Sequence, residues 1–287
     1  MQSATEQYLA LARRGRNQWW RYAASVLVIV FFAEALGGIP LLLLARHYDY
    51  SGLRAFLALN LGVLVELAGV AIAVVLIHRR SLLSLVTPHA RFGWRRAGQG
   101  FAVWFALAAA SCVAESMLFP GRYRLTFNPD TFFMFAAIAL CLTPLQTATE
   151  ELLFRGYVLQ GLGLLVKRPA VIAIASGTIF MLPHLANPEV AYHPLLVPPQ
   201  YLVIGLLLAA VTLRDGRLEL AIGIHTANNL FNGLVANYDD SVLTTDAIFT
   251  SSFDPVYSLA ALVAASVATY LIFFGRRGGT VRLAENR

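Results

Sequence analysis

Long apolar segments alternate with short polar connections along the chain. Eight of these segments approach or reach the roughly 17 to 25 apolar residues that a helix needs to cross a bilayer. We therefore predict an all-α, polytopic fold, in which eight transmembrane helices form one membrane domain. The predicted spans are 23–44, 56–77, 101–119, 132–149, 169–186, 199–213, 218–236 and 256–274.

The composition also indicates a membrane protein. Of the 287 residues, 58% are apolar and 13% are charged, whereas soluble domains have about 45–50% apolar and about 25% charged residues. So few charges cannot solvate a surface around so much hydrocarbon, which excludes a soluble globule and a disordered chain. Cys112 and Cys141 both lie in apolar segments, so no disulfide framework is indicated.

The basic residues, 21 Arg and one Lys, form short clusters between the apolar segments. This placement is typical of cytoplasmic loops and not of a nucleic-acid-binding surface, so we expect no nucleic-acid partner. With the N-terminus inside, 18 of the 22 basic residues are cytoplasmic. We expect both termini in the cytoplasm, in a bacterial inner membrane. The four basic residues predicted outside are Arg46, Arg54, Arg122 and Arg124.

Two flanking segments differ in composition from the predicted membrane domain, 23–274. Residues 1–22 combine several Arg with Trp19 and Trp20, which predicts a cytoplasmic segment at the level of the lipid headgroups. Residues 275–287 predict a cytoplasmic basic tail. The first span is longer than the apolar part of a signal peptide, so we expect it to be retained.

Ionisable side chains inside apolar spans are costly and mark internal pairs or functional sites. Glu34, Glu66 and Glu115 each stand alone in a span. Two interpretations of these three residues stay open. Each is either a hydrogen-bonded carboxyl that joins helices, or part of a proton or substrate path.

Two adjacent acids and an arginine end the long apolar run that begins near residue 132. Glu151 and Arg155 are four residues apart on one helix face, so we expect them to pair. Glu150 points about 100° away, given 3.6 residues per turn. It is therefore free to face a cavity as a general base.

Two histidines and an asparagine follow in later spans: His184, then His225 and Asn229 on one helix face. Imidazole can orient or deprotonate water or bind a metal, and a carboxamide can donate to an oxyanion. If span 4 ended at residue 149, Glu150 would lie about 22 Å from the depth of His184. We therefore predict a long, tilted fourth helix that continues to about residue 166 in the cytoplasm, and a water-filled pocket beneath the inner leaflet.

These motifs resemble those of the CPBP family of intramembrane proteases, also called the Abi or type II CAAX prenyl protease family. Glu150 to Arg155 is similar to the EExxxR motif, Phe180 to His184 to FxxxH, and His225 to Asn229 to HxxxN. The resemblance covers residues 131–236 and places the motifs on spans 4, 5 and 7 of an eight-helix fold.

The resemblance implies hydrolysis of a peptide bond within or beside the membrane. Glu150 would take a proton from the attacking water, with the help of His184, and deliver it to the leaving amine. His225 and Asn229 would hold the oxyanion. The implied substrate is a membrane-associated or lipidated protein or peptide, and a prenylated tail only where the host prenylates proteins.

Glu151 and Arg155 would support this site, although the resemblance also allows Glu151 to take part in catalysis. Two cofactor alternatives stay open, because family members are commonly described as metalloproteases. The site is either metal-free and driven by glutamate, or it holds a zinc ion through Glu150, His184 and His225.

Two other classes of function are compatible with the apolar spans. A non-catalytic membrane scaffold or bacteriocin-immunity protein of the same fold would keep these residues without turnover. A secondary transporter would use them as a proton relay, but the sequence does not display the inverted repeats expected of such a protein. Loss of cleavage on Glu150→Gln would distinguish the protease from both.

Overall fold

The structure is a computed structural model that describes residues 3–44, 52–239, 241 and 245–275. It is mostly helical (78%). The predicted basic tail, apart from Gly275, and Arg46 lie outside the described residues. The helices are α1 Ala4–Ala10 (followed by the 3-10 turn Leu11–Arg14), α2 Trp19–Leu44, α3 Gly52–Ile77, α4 Leu83–Val86, α5 Trp94–Leu118, α6 Pro129–Leu165, α7 Pro169–His184, α8 Pro188–Tyr192, α9 Val197–Asp215, α10 Glu219–Leu230 and α11 Pro255–Phe274.

Within the described residues, six helices are long and apolar enough to cross a membrane: α2, α3, α5, α6, α9 and α11. The other two predicted spans also coincide with helices. However, α7 has 16 residues, and α10 has 12 before it widens into the π-helical turn Phe231–Val235. The prediction of eight transmembrane helices is therefore not confirmed.

Helix α6 is one continuous helix of 37 residues, about 55 Å long at 1.5 Å per residue. It ends at Leu165, which confirms that the helix of Glu150 continues far past residue 149. Its tilt and its protrusion into the cytoplasm stay predictions. The turn widens into a π-helix at Leu152–Val158, where Gly156 contacts α4 closely: a Cβ on Gly156 would lie 2.9 Å from Leu85 Cβ.

Helix α10 is the buried centre of the fold. All residues from 219 to 227 are buried. A Cβ on Gly223 would overlap the carbonyl oxygen of Ala97, and one on Gly100 would overlap that of Leu220, so α5 and α10 pack backbone against backbone. Helix α10 also packs against α6. His225 is thereby held in the protein interior.

Helix α1 packs beneath the C-terminal half of α6. Ser3 and Glu6 form a capping box that fixes its first turn. Tyr8 is fully buried, and its hydroxyl donates to the carbonyl oxygens of Leu85 at 2.6 Å and Arg155 at 3.0 Å. Burial raises the pKa of Tyr8, which keeps this hydroxyl protonated. The N-terminal segment is thus fixed to the membrane domain.

A small sheet at the other end of α6 corrects the all-α prediction. The outer strands β1 Tyr123–Leu125 and β2 Ala236–Tyr238 both pair with the central strand β3 Phe249–Ser251, antiparallel and parallel respectively. Three-residue strands show no readable alternation, so the hydropathy pattern could not predict them. The sheet joins the connection before α6 to those that follow α10.

Candidate active site

Glu151 and Arg155 form a buried ion pair on α6. Arg155 Nη1 donates to Glu151 Oε1 at 3.0 Å, and both side chains are fully buried. Arg155 Nη2 donates to the carbonyl oxygen of Gly205 on α9 at 3.4 Å. The guanidinium also lies over the ring of Phe180 on α7, 4.1 Å from its centroid. The predicted pair is confirmed, and it joins α6 to α7 and α9.

Glu150 points away from this pair, as its position on the helix predicts. Its carboxylate accepts a hydrogen bond from Nε2 of Gln146, one turn earlier. Glu150 Oε2 lies 3.6 Å from Nε2 of His225, and 14% of the Glu150 side chain stays exposed. A carboxylate that faces a cavity in this way can accept a proton from water.

His225 lies between the two acids. Its Nδ1 is 2.9 Å from Glu151 Oε1, and this hydrogen bond fixes the orientation of the ring. Asn229, one turn later on α10, donates from Nδ2 to Gln146 Oε1 at 3.1 Å. Gln146 therefore links Asn229 to Glu150.

His184 reaches the site from the end of α7. Its Nδ1 is hydrogen-bonded to the carbonyl oxygen of Phe180 at 2.8 Å, which leaves Nε2 for the cavity. The Phe180 ring lies 4.5 Å from the His184 ring and 5.9 Å from the His225 ring, measured between centroids. Since the Arg155 guanidinium also contacts Phe180, this ring stands between the buried cation and the two imidazoles. The FxxxH spacing thus places Phe180 and His184 on the same face of α7, where both line one cavity.

One cavity of about 330 Å³ is lined by Glu150, His184, His225 and Asn229. Side chains of α3, α6, α7, α9 and α10, together with the loops after α7 and β2, form its walls. This volume exceeds the roughly 30 Å³ that one water takes up in the liquid, so several waters or part of a peptide would fit. The predicted convergence of the motif residues is confirmed, whereas their chemical roles stay predictions.

Other polar residues of this cavity were not identified from the sequence. Gln146 lies four residues before Glu150, so helix spacing could have indicated it. Tyr201 and Glu189 lie outside the motifs: the Tyr201 hydroxyl donates to Glu189 Oε1 at 2.5 Å, and the Tyr201 ring lies 4.6 Å from the His184 ring. No sequence signal pointed to these two residues.

Asn228 was also missed, although it adjoins a motif residue. Its Nδ2 donates to Asn229 Oδ1 at 3.1 Å, and its Oδ1 accepts from Nε1 of Trp104 at 3.2 Å. These two hydrogen bonds orient the Asn229 amide, so that Asn229 Nδ2 faces Gln146.

The three isolated glutamates are not among the described residues that line the cavity. Glu115 accepts hydrogen bonds from Arg122 at 2.8 Å and from Tyr123 at 2.6 Å, which favours the interpretation as a joining carboxyl. It lines a second cavity, of about 270 Å³. Glu34 is exposed and Glu66 is half-buried.

Glu150, His184 and His225 are the ligands of the zinc alternative. Among the described residues, no group of three or more His, Cys, Asp or Glu side chains is placed to hold a metal ion. Both nitrogens of His225 face carboxylates, and Nδ1 of His184 is bound to a backbone carbonyl. The choice between a metal-free site and one that holds zinc through Glu150, His184 and His225 stays a prediction.

Comparisons with known proteins confirm the resemblance based on the motifs. Residues 129–231 match the family model described as type II CAAX prenyl endopeptidase Rce1-like, which agrees with the CPBP family. The chain is 36% identical over 169 residues to the uncharacterized protein YyaK of Bacillus subtilis (strain 168). That alignment covers 58% of this chain and 56% of the relative, so the chain spans little more than half of the relative's length. No solved structure matches the chain.

Proposed function

We propose that the chain is an intramembrane endopeptidase of the CPBP type, which hydrolyses a peptide bond with a glutamate-activated water. The match to the Rce1-like family over residues 129–231 supports a protease. The observation that carries the proposal is the convergence of the four motif side chains on one cavity, beside a fully buried ion pair.

In the proposed reaction, Glu150 is the general base. A water in the cavity transfers a proton to the Glu150 carboxylate as its oxygen bonds to the scissile carbonyl carbon. The carbonyl oxygen becomes an oxyanion. When the C–N bond breaks, Glu150 returns the proton to the leaving amine and is ready for another cycle. His184 assists by holding the same water through Nε2.

Asn229 and His225 hold the oxyanion in this mechanism. Asn229 offers the Nδ2 proton that Gln146 does not accept, and Gln146 and Asn228 fix the direction of that amide. For His225 to donate from Nε2 while Nδ1 donates to Glu151, the ring must be doubly protonated. Glu151 and Arg155 position the imidazole and do not contact the substrate.

The proposed partners are the lipid bilayer and a membrane-associated or lipidated protein or peptide substrate. The several apolar helices and the family match identify an integral membrane protein. We place it in a bacterial inner membrane with both termini in the cytoplasm, because most of its basic residues lie in the connections on that side.

The test compares the N-termini of membrane proteins in bacteria that produce the wild-type chain, Glu150→Gln or Glu34→Gln at equal levels. Glu34 is a matched control, since it is an exposed glutamate in another span and does not line the cavity. We expect new N-termini with the wild type and Glu34→Gln, and their loss with Glu150→Gln. Identical N-termini for the wild type and Glu150→Gln would contradict the proposal and favour a non-catalytic scaffold or immunity protein.

A further inference from the structure

The active-site cavity lies toward one end of the helix bundle. From α6 it is lined by Thr143, Gln146 and Glu150, and no described residue of α6 beyond Glu150 lines it. The connections at the N-terminal end of α6 supply further lining, including Asn187 after α7 and Thr245 after β2. The cavity therefore extends from Glu150 toward the end of the bundle that carries the sheet.

The opposite end of the cavity is closed by packed side chains. Glu151, Arg155 and Gln160 follow Glu150 along α6, and each is 0% exposed. Gln160 Nε2 donates to the Ser84 carbonyl oxygen at 3.0 Å. Helix α1 seals this end further, through the Tyr8 hydroxyl that binds the Arg155 carbonyl oxygen. A polypeptide cannot reach Glu150 from this end without displacing these contacts.

The basic residues divide between the same two ends of the bundle. The connection between α6 and α7 carries Lys167 and Arg168, and the connection between α9 and α10 carries Arg217. These connections lie at the closed end, which the distribution of basic residues assigns to the cytoplasm. The sheet end carries few basic residues, among them Arg122 and Arg124.

We infer that the active-site cavity opens to the extracytoplasmic side, and that the substrate is an extracytoplasmic peptide segment next to a membrane anchor. This inference rests on the proposed protease function. It replaces the pocket beneath the inner leaflet that was expected from the sequence. The lining at the open end is polar, which suits the polar backbone of an extended peptide. Its polar residues are Asn187, Asn228, Asn232, Asn237, Ser241 and Thr245.

Cysteine accessibility tests the direction of this opening without any substrate. In a background with Cys112→Ala and Cys141→Ala, single cysteines are introduced as Leu195→Cys, Lys167→Cys or Asn232→Cys. Leu195 and Lys167 are exposed at the sheet end and the closed end, and Asn232 is an exposed residue of the cavity wall. Intact cells are treated with a membrane-impermeant maleimide.

We expect Leu195→Cys and Asn232→Cys to react in intact cells, and Lys167→Cys to react only after the cells are opened. Reaction of Lys167→Cys but not Leu195→Cys in intact cells would overturn the orientation. If Leu195→Cys reacts in intact cells and Asn232→Cys does not, the inference that the cavity opens to the extracytoplasmic side is overturned.

The comparison of N-termini separates this inference from the proposed function. Cleavage sites lost with Glu150→Gln should lie on the extracytoplasmic flank of membrane anchors. If they lie on the cytoplasmic flank, the protease proposal stands and the inference on access fails. If no site depends on Glu150, the protease proposal itself fails, and the maleimide result alone decides the orientation.

Glu189 carries a second inference from a different observation. Its side chain is 1% exposed and lines the cavity, and Oε1 accepts the Tyr201 hydroxyl. Its other oxygen, Oε2, is buried and has no hydrogen-bond partner within the part of the chain that the structure describes. A buried carboxylate oxygen without a donor is costly, so it points to a donor that arrives with a ligand. We propose that Glu189 binds an N–H donor of the substrate and determines specificity.

The test uses a peptide that copies a cleavage site found in the N-terminal comparison. With Glu189→Gln we expect KM to rise about ten-fold or more with kcat nearly unchanged, because an acceptor is replaced by a donor away from the reacting atoms. Glu189→Asp should recover part of the loss. An unchanged KM would overturn the specificity role. An equal loss of kcat together with a lowered Tm would show that Glu189 is structural, which also overturns it.

Discussion

Nδ1 of His225 lies 2.9 Å from Oε1 of Glu151, so the second acid of the motif holds the imidazole. The first acid, Glu150, lies farther away, with its Oε2 at 3.6 Å from Nε2 of the same ring. The adjacent acids therefore have different surroundings. One is fully buried between a guanidinium and an imidazole, and the other faces the cavity.

This arrangement predicts that Glu151→Gln lowers kcat with little effect on KM. The neutral amide replaces the carboxylate that holds the doubly protonated His225 ring, so the ring loses the positive charge that stabilises the oxyanion, and we expect a loss of about 10²-fold in kcat. The measurement is kcat and KM across pH for the peptide of the mapped cleavage site. A change confined to KM would contradict the positioning role of Glu151.

The buried ion pair predicts a large loss of stability when one partner is removed. Arg155→Met leaves the buried Glu151 carboxylate without its guanidinium partner, and such changes cost about 3–5 kcal/mol. The matched control is Arg124→Met, which breaks an ion pair whose side chains are 62% and 50% exposed, and exposed pairs contribute about 0–1 kcal/mol. Thermal unfolding in detergent measures both variants, and equal shifts in Tm would contradict the prediction.

The sequence predicted which polar side chains meet in one cavity more fully than it predicted the secondary-structure elements around them. The EExxxR, FxxxH and HxxxN motifs located Glu150, His184 and His225, because ionisable groups in apolar spans have few structural explanations. The length of α6 was also predicted correctly, since Glu150 and His184 reach the same depth only if the helix continues past residue 149.

Other features could not be predicted because they depend on tertiary contacts. The strand Phe249–Ser251 is too short to have a period, and it pairs with residues far away in the chain. Tyr201 resembles any aromatic residue of an apolar helix until α9 packs beside His184. Glu189 lies in the short helix α8 between two apolar helices, where an acid is ordinarily solvated, and only the folded chain buries it.

The distances in the site predict catalysis without a bound zinc ion. A zinc site needs three protein ligands turned to one common point, whereas no three His, Cys, Asp or Glu side chains among the described residues form such a group. We expect the purified protein to carry less than about one zinc per ten chains, and a chelator to leave cleavage unchanged. Metal analysis and a cleavage assay with and without chelator check this. About one zinc per chain with chelator-sensitive activity would contradict it.

His78 predicts that stability falls at mildly acid pH. It is 1% exposed, and its ring is bound to the Arg16 carbonyl oxygen at 2.7 Å and to the Tyr157 hydroxyl at 2.9 Å. Burial, and then the nearby Arg80 and Arg21, lower the pKa of His78, although the Arg16 carbonyl opposes this shift. The unfolded chain therefore binds a proton more readily than the folded chain.

The loss of stability should begin as the pH falls through about 6.5, the ordinary pKa of histidine. We expect Tm in detergent to decrease from pH 7.5 to pH 5.5 in the wild type, and to decrease less in His78→Gln. The exposed His89 supplies the control, since His89→Gln should keep the slope of the wild type. Identical slopes for the wild type and His78→Gln would contradict the assignment to His78.

Variants of Asn228, Asn229 and Trp104 should lower kcat to different extents, because each changes the hydrogen bonds that hold the oxyanion donor. Asn229→Ala removes a donor, and such a change typically lowers kcat by about 10²–10³-fold. Asn228→Asp keeps the acceptor for Trp104 but replaces the N–H that Asn229 Oδ1 accepts. The Asn229 amide should then rotate so that Oδ1 and Nδ2 exchange places, which withdraws Nδ2 from the cavity. We expect a loss in kcat between that of Asn229→Ala and that of Trp104→Phe, which removes only the hydrogen bond to Asn228. Wild-type kcat in Asn228→Asp, measured at equal protein levels, would mean that this hydrogen bond does not hold Asn229 in place.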